Sequence, residues 1–200
     1  MSEVFDPKKW LYEGVVLTEL SAEGETLNQV EVYESEIHEA RLSGATLKRW
    51  VFEDCLFRGC DLSNVKWEQC TFTGCKFIEC RLVGSDWRAV ASLTAEVSFI
   101  DCDLSYSQLS GVCWRGARFE RTRCLEVDFN RATLTRAQWV ESSVEGATFE
   151  EANLSEADVR GAIYERFNPD ETTLTSAKIT IETAIRLAED SGLIVDQADR

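Results

Sequence analysis

The chain has 200 residues, with 21 Lys and Arg against 36 Asp and Glu, a net charge of −15 at pH 7. Such an acid excess disfavours direct binding to phosphate backbones, which reward clustered cations. No apolar run approaches the ~20 residues that span a bilayer, and the N-terminal M-S-E-V-F-D-P-K-K-W lacks a secretory apolar stretch. The 44% hydrophobic content suffices for a core, and two prolines with 10% aromatics argue against disorder. A single His leaves little material for acid–base chemistry, and eight cysteines in a chain without an export signal read as reduced thiols. The expectation is an acidic, cytoplasmic, non-catalytic protein.

Residues 1–26 follow the coming pattern only weakly. Leu17 and Leu27 fit it and Ala22 is small for its place, so an N-terminal cap or irregular first coil is expected. From 27 to 87, large apolar residues recur every five positions: Leu42, Leu47, Phe52, Phe57, Leu62, Trp67, Phe72, Phe77, Leu82 and Trp87. Two positions before them stand compact residues such as Ala40, Ala45, Cys55, Cys60, Val65, Cys70, Cys75, Cys80 and Ser85, with Trp50 the exception. This period is neither the 3.6 of a helix nor the 2.0 of a strand. It describes a chain that turns a corner every five residues, sending one large and one small side chain inward on each side. Four sides close a coil of 20 residues, and coils stack at ~4.8 Å through backbone hydrogen bonds. Each coil of such a β-solenoid buries its core only against its neighbours. Residues 20 apart should then stack and look alike, as Trp67 and Trp87, Phe52 and Phe72, Phe57 and Phe77, and Phe129 and Phe149 do.

The period breaks once. The step from Trp87 to Phe99 is not a multiple of five, so 88–98 holds either a seven-residue loop or a two-residue bulge beside an irregular coil. A tolerated surface insertion is one reading. A partner-contacting loop, through Val90, Ser92, Leu93, Thr94 and Glu96, is the other. A second run then fills 99–179, through Phe99, Leu104, Leu109, Trp114, Phe119, Cys124, Phe129, Leu134, Trp139, Val144, Phe149, Leu154, Val159 and Tyr164.

In 180–200 the pattern turns helical. Thr180 is an N-cap, Ile181, Ala184, Ile185 and Ala188 form one stripe, and Ser191-Gly192 is a stop before the apolar tail Leu193-Ile194-Val195. A capping helix would protect the last coil's open edges. The extra tail favours a homodimer through this end, with Ile181, Ile185, Leu187, Ala188, Leu193, Ile194 and Val195 at the interface.

The segments A-R-L-S-G (40–44), C-D-L-S-N (60–64), A-N-L-S-E (152–156) and A-D-V-R-G (157–161) resemble the A-(D/N)-L-x-x unit of pentapeptide repeat proteins. The resemblance covers residues 27–166 and implies an all-β solenoid, a right-handed quadrilateral β-helix, here followed by a short C-terminal α-helix. One mid-chain break, the run Asn168–Ala177, and the terminal helix and tail resemble the gyrase-protecting branch. That branch includes the quinolone-resistance proteins of Qnr and MfpA type and the immunity proteins of microcin B17 and albicidin producers. The resemblance implies a non-enzymatic, rod-like dimer that imitates DNA, binds DNA gyrase and in some members topoisomerase IV, and relieves topoisomerase poisons. An acidic scaffold with an unrelated partner is the alternative.

Charge distribution bears on this. Residues 101–136 are nearly neutral, at +1, whereas 137–171 carry a net of −7. Pairing through the C-terminal end would set two such stretches side by side, making Glu141, Glu145, Glu150, Glu151, Glu156, Asp158 and Glu165 candidate partner-binding residues near the dimer centre. A solvated acidic surface is the plainer account. A second cluster, Glu31, Glu34, Glu36 and Glu39, stands near the other end. No catalytic, cofactor or metal constellation accompanies these: His38 lacks a partner at a recognisable spacing, no C-x-x-C occurs, and Cys55, Cys60, Cys70, Cys75, Cys80 and Cys102 occupy the compact inward slot.

Overall fold

The computed structural model describes residues 2–91, 97–163 and 171–195. They form a right-handed quadrilateral β-helix ended by one helix, Ile181–Asp190. The first face is an eight-stranded parallel sheet of three-residue strands: Ser2–Val4, Val16–Thr18, Glu36–His38, Leu56–Arg58, Lys76–Ile78, Ser98–Ile100, Arg118–Glu120 and Gln138–Val140. The second face is a column of single-residue bridges, Ser21, Arg41, Asp61, Arg81, Asp103, Arg123 and Ser143. The third stacks Thr26–Asn28, Thr46–Lys48 and Lys66–Glu68 and continues through Asp86, Gln108, Asp128 and Thr148. The fourth stacks Leu11–Glu13, Glu31–Tyr33, Val51–Glu53 and Thr71–Thr73, and farther on Cys113, Thr133, Asn153 and Thr173.

Two of every five residues point inward, and the corners explain how. The residue two after each large core residue adopts a left-handed backbone at most corners, as at Glu39 (φ 53°), Asp54 (φ 51°), Arg121 (φ 46°) and Glu141 (φ 51°). Glycine takes this conformation without a Cβ penalty, and Gly44, Gly84 and Gly146 stand there. On the second face a turn bond reinforces the corner, the Ala45 amide donating to the Leu42 carbonyl at 2.9 Å and Val65 to Leu62 at 3.3 Å. That tight turn leaves room for one bridging residue rather than a three-residue strand.

The core is a set of stacked columns. Phe57 lies on Phe77 at 4.5 Å between ring centroids, Phe52 on Phe72 at 5.0 Å, and Phe129 on Phe149 at 5.0 Å. Compact polar residues fit the second slot because a carbonyl of the coil below awaits them. The Cys55 thiol donates to Val32 O at 3.2 Å, and Thr122 Oγ1 donates to Phe99 O at 3.0 Å. Trp50, large for its slot, reaches toward the N-terminal end: its ring stacks on Phe5 at 5.9 Å and its indole N–H donates to Leu27 O at 3.3 Å. Residues before Leu27 join the same sheets, but the first step is short, Ser2 pairing with Val16. Ala22 is a core residue there, 4% exposed.

The register slips by two positions at the break. The Ala91 amide donates to Cys70 O; the Ser98 amide, seven positions on, donates to Cys75 O, which is only five positions on from Cys70. One side of this coil thus spends seven residues where five would serve. Pairing is otherwise unbroken, with Phe77 beside Phe99 and Arg81 beside Asp103. None of the described helices is long and apolar enough to cross a membrane.

Candidate partner-binding surfaces

Residues adjacent in sequence run around the rod, and residues 20 apart run along it. The acids of 137–171 therefore form a girdle rather than a patch. Glu141 and Glu156 are corner residues, Glu145 lies on the second face, Glu150 on the third, Glu151 at the next corner and Asp158 on the first. Three of the six are neutralised: Glu151 pairs with Arg131 at 3.1 Å, Glu156 with Arg136 at 2.9 Å and Asp158 with Arg160 at 2.7 Å. The Arg136 guanidinium holds the Glu156 carboxyl below its usual range, and Arg160 does the same to Asp158. Glu141, Glu145 and Glu150 have no ion pair among the described residues. Glu165 lies outside the described residues.

A second acidic surface stands at the other end. On the fourth face and its edge, Glu13, Glu31, Glu34, Glu53 and Asp54 gather around Tyr33 without an ion pair among the described residues. Tyr33 Oη donates to Glu31 at 3.0 Å, and this bond, with the nearby charges of Glu53 and Glu13, pushes the phenol up. Of the cluster noted in the sequence, Glu31 and Glu34 belong here, while Glu36 and Glu39 turn onto the first face, where Glu36 meets His38 at 2.7 Å. The contributions of Glu13, Glu53 and Asp54 escape a linear count; counting in steps of 20, Glu13–Glu53 and Glu34–Asp54, finds them. A contrasting basic hollow of about 500 Å³ lies on the third face, lined by Lys48, Arg49 and Lys66 with Glu68 and Asp86.

Of the loop residues, Val90 stands half-buried against the core. Ser92, Leu93, Thr94 and Glu96 lie outside the described residues. At the C-terminal end, the Thr183 amide donates to Thr180 Oγ1 at 3.1 Å, and Gly192 (φ 80°) closes the helix. Leu187 packs on the last coil and Ile185, Ala188 and Val195 are half-buried, but Ile181 is 69%, Leu193 63% and Ile194 97% exposed. The helix thus covers part of the coil end and presents an apolar surface of its own.

Comparison with known proteins agrees with this geometry. The pentapeptide repeat region family matches residues 51–129, and the pentapeptide repeats (8 copies) family matches 128–164. Together the matches span more than half of the chain, which belongs to the pentapeptide repeat proteins. Among solved structures, full-length QnrB1, a plasmid-mediated fluoroquinolone resistance protein, is 18% identical with a TM-score of 0.65, covering 96% of this chain and 95% of its own. A trypsin-treated QnrB1 variant, also 18% identical, has a TM-score of 0.64 over 98% of this chain and 100% of that one. No curated protein sequence matches the chain.

Proposed function

We propose that this protein binds a bacterial type II topoisomerase, DNA gyrase or topoisomerase IV, in the place of DNA and protects it from a poison that traps the cleavage complex. The observation that carries this reading is a rod bearing carboxylates without counter-ions at both ends of its length: Glu13, Glu31, Glu34, Glu53 and Asp54 near one end, Glu141, Glu145 and Glu150 near the other. A groove lined with cations to hold DNA attracts such a field over about a Debye length, ~8 Å at physiological salt. The fold shared with a fluoroquinolone resistance protein supports the same reading. Eight strands on the first face make roughly 34 Å at ~4.8 Å per step. An end-to-end homodimer through Ile181, Leu193 and Ile194 doubles that to about 70 Å, the length of ~20 base pairs. The protein works in the cytoplasm and carries out no chemistry; the segment 88–98 adds a contact to the enzyme.

The test is a supercoiling assay of gyrase and topoisomerase IV, with and without a cleavage-stabilising poison, at two salt concentrations. Restored activity under poison, weaker at high salt, is the expected result. No effect on either enzyme would overturn the proposal.

A scaffold function is the second reading, favoured by the pairs Arg131–Glu151, Arg136–Glu156 and Arg160–Asp158, which cancel much of the girdle. An apolar scaffold contact would keep its affinity as salt rises, whereas a DNA-mimetic contact weakens.

A further inference from the structure

The second face carries an alternating charge pattern that forms no ion pair among the described residues, although the Asp61 and Asp103 carboxylates accept from the Ser63 and Ser105 amides at 3.1 and 3.0 Å. Its bridging column reads Arg41, Asp61, Arg81, Asp103, Arg123, alternating in sign at each coil step of ~4.8 Å. Elsewhere neighbouring coils close such pairs, as Arg121 does with Asp101 at 2.7 Å. In this column no member makes an ion pair among the described residues. The rest of the face is flat: Ser43, Ser63, Val83 and Ser105 form the parallel outward column, with Gly44, Asn64 and Gly84 along the adjoining corner. Ser63 and Ser105 are 5% and 2% exposed, so their side chains lie within the face. One feature breaks the flatness. Tyr106 occupies the glycine-rich corner with a left-handed backbone (φ 63°) and is 49% exposed. A bulky residue held there is costly and unusual.

We propose that this face is a docking surface for a second copy of the chain, the two rods lying side by side and antiparallel about a twofold axis between the levels of Asp61 and Arg81. An axis in the plane of contact brings each column against itself in reverse order. Asp61 then opposes the partner's Arg81, and Arg41 opposes the partner's Asp103, so all four charges near the axis are matched at the common coil spacing. In the parallel column Ser105 falls opposite the partner's Ser43, small residues that let the two faces approach closely. Tyr106 falls opposite the partner's Gly44, where a Cβ would meet only the backbone of Gly24, at 3.8 Å, so there is room for the ring. The match uses both signs equally and so operates despite the net charge of −15. The matched column, Arg41 to Asp103, spans three coil steps, at the small end of specific interfaces, so association is weak, concentration-dependent and salt-sensitive. It is independent of the topoisomerase reading and of the C-terminal end.

Small-angle scattering over a concentration series tests this, because side-by-side pairing raises the cross-sectional radius of gyration while end-to-end pairing does not. The unmodified protein should thicken with concentration. Arg81→Asp sets Asp against the partner's Asp61 twice and should weaken association at least about tenfold. Asp61→Arg with Arg81→Asp restores opposition between copies while leaving like charges adjacent within each rod, so rescue by this double variant separates docking from fold stability. Tyr106→Ala, at an exposed site, should weaken association without lowering the melting temperature. A cross-section that stays constant with concentration, or association unchanged by Arg81→Asp, or a double variant as weak as the single one, would overturn the proposal.

Discussion

Phe77 and Phe99 stack at 5.1 Å, their rings 15° from parallel, although they stand two positions farther apart in the chain than Phe57 and Phe77 do. The column passes the break intact, with the register of this face unchanged on either side.

That continuity makes the column, not the loop, the source of stability. Phe99→Ala should cost about 3–5 kcal/mol, as large core truncations do. A double-mutant cycle with Phe77→Ala should return a coupling of about 0.5–1.5 kcal/mol. Removing two residues from 92–96, which restores a five-residue side, should change stability by less than about 1 kcal/mol. Urea denaturation of the three variants measures each figure.

Glycines divide into two kinds. Gly44 needs its positive φ, and a Cβ there meets only the Gly24 backbone at 3.8 Å or more, so Gly44→Ala should cost about 1 kcal/mol. At Gly161 a Cβ would lie 2.4 Å from the Trp139 carbonyl oxygen and 3.0 Å from the Glu141 amide nitrogen. Those are backbone atoms and cannot swing aside. Gly161→Ala should therefore lower the melting temperature more than Gly44→Ala; the reverse order would contradict the close approach.

Acid should weaken the fold through its ion pairs. Hydrogen bonds from Arg88, Arg121, Arg136 and Arg160 depress the pKa values of Asp86, Asp101, Glu156 and Asp158 respectively. Arg118, with Arg121, does so for Glu120. A carboxyl depressed in the folded state favours that state above its unfolded pKa, ~4, and loses the contribution as pH falls through the folded value. Melting temperature should hold from neutral pH to about 5 and drop below about 4. Asp158→Asn should remove part of the drop, and added salt should shrink it because these pairs are exposed.

Thiol chemistry should divide the eight cysteines. Cys113 is half-buried and the other seven are buried. Burial pushes the Cys70 thiol up to about 12 and raises that of Cys124 as well. A thiol reagent should titrate one group in the native protein and the remainder only after denaturation, and Cys113→Ser should abolish the fast phase.

The apolar C-terminal surface should behave as an interface. Ile194→Glu, at a side chain 97% exposed, leaves the rod folded and should convert an end-to-end dimer to monomer in sedimentation. An unchanged sedimentation coefficient would remove Ile194 from the contact.

The fold is legible because its core obeys one rule in one dimension. Leu42, Phe57 and Trp67 each mark an inward slot, and residues 20 apart show where coils stack. The helix is legible from Thr180 and Ser191-Gly192 because capping is local chemistry. Residues before Leu27 are harder to read, since Ala22 offers little apolar bulk and the first step, Ser2 to Val16, is short. Surface organisation is harder still. Glu150 and Glu151 adjoin in sequence, but Glu150 stands on the third face and Glu151 at the corner, where Arg131, one coil earlier, cancels it. The gathering of Glu13, Glu31 and Glu53 around Tyr33 emerges only when the chain is wound.

Among the described residues every hydrogen bond between coils runs to the neighbouring coil, so length is a separable property of this protein. Excising 118–137 would bring Gln138 to the place of Arg118 beside Ser98, with the same register and the same inward slots. Gene-level gain or loss of 20 codons thus shortens or lengthens the rod by one step of ~4.8 Å without redesigning either end. A lineage can fit such a ruler to a partner's dimensions in whole increments, adjusting reach before it adjusts any contact.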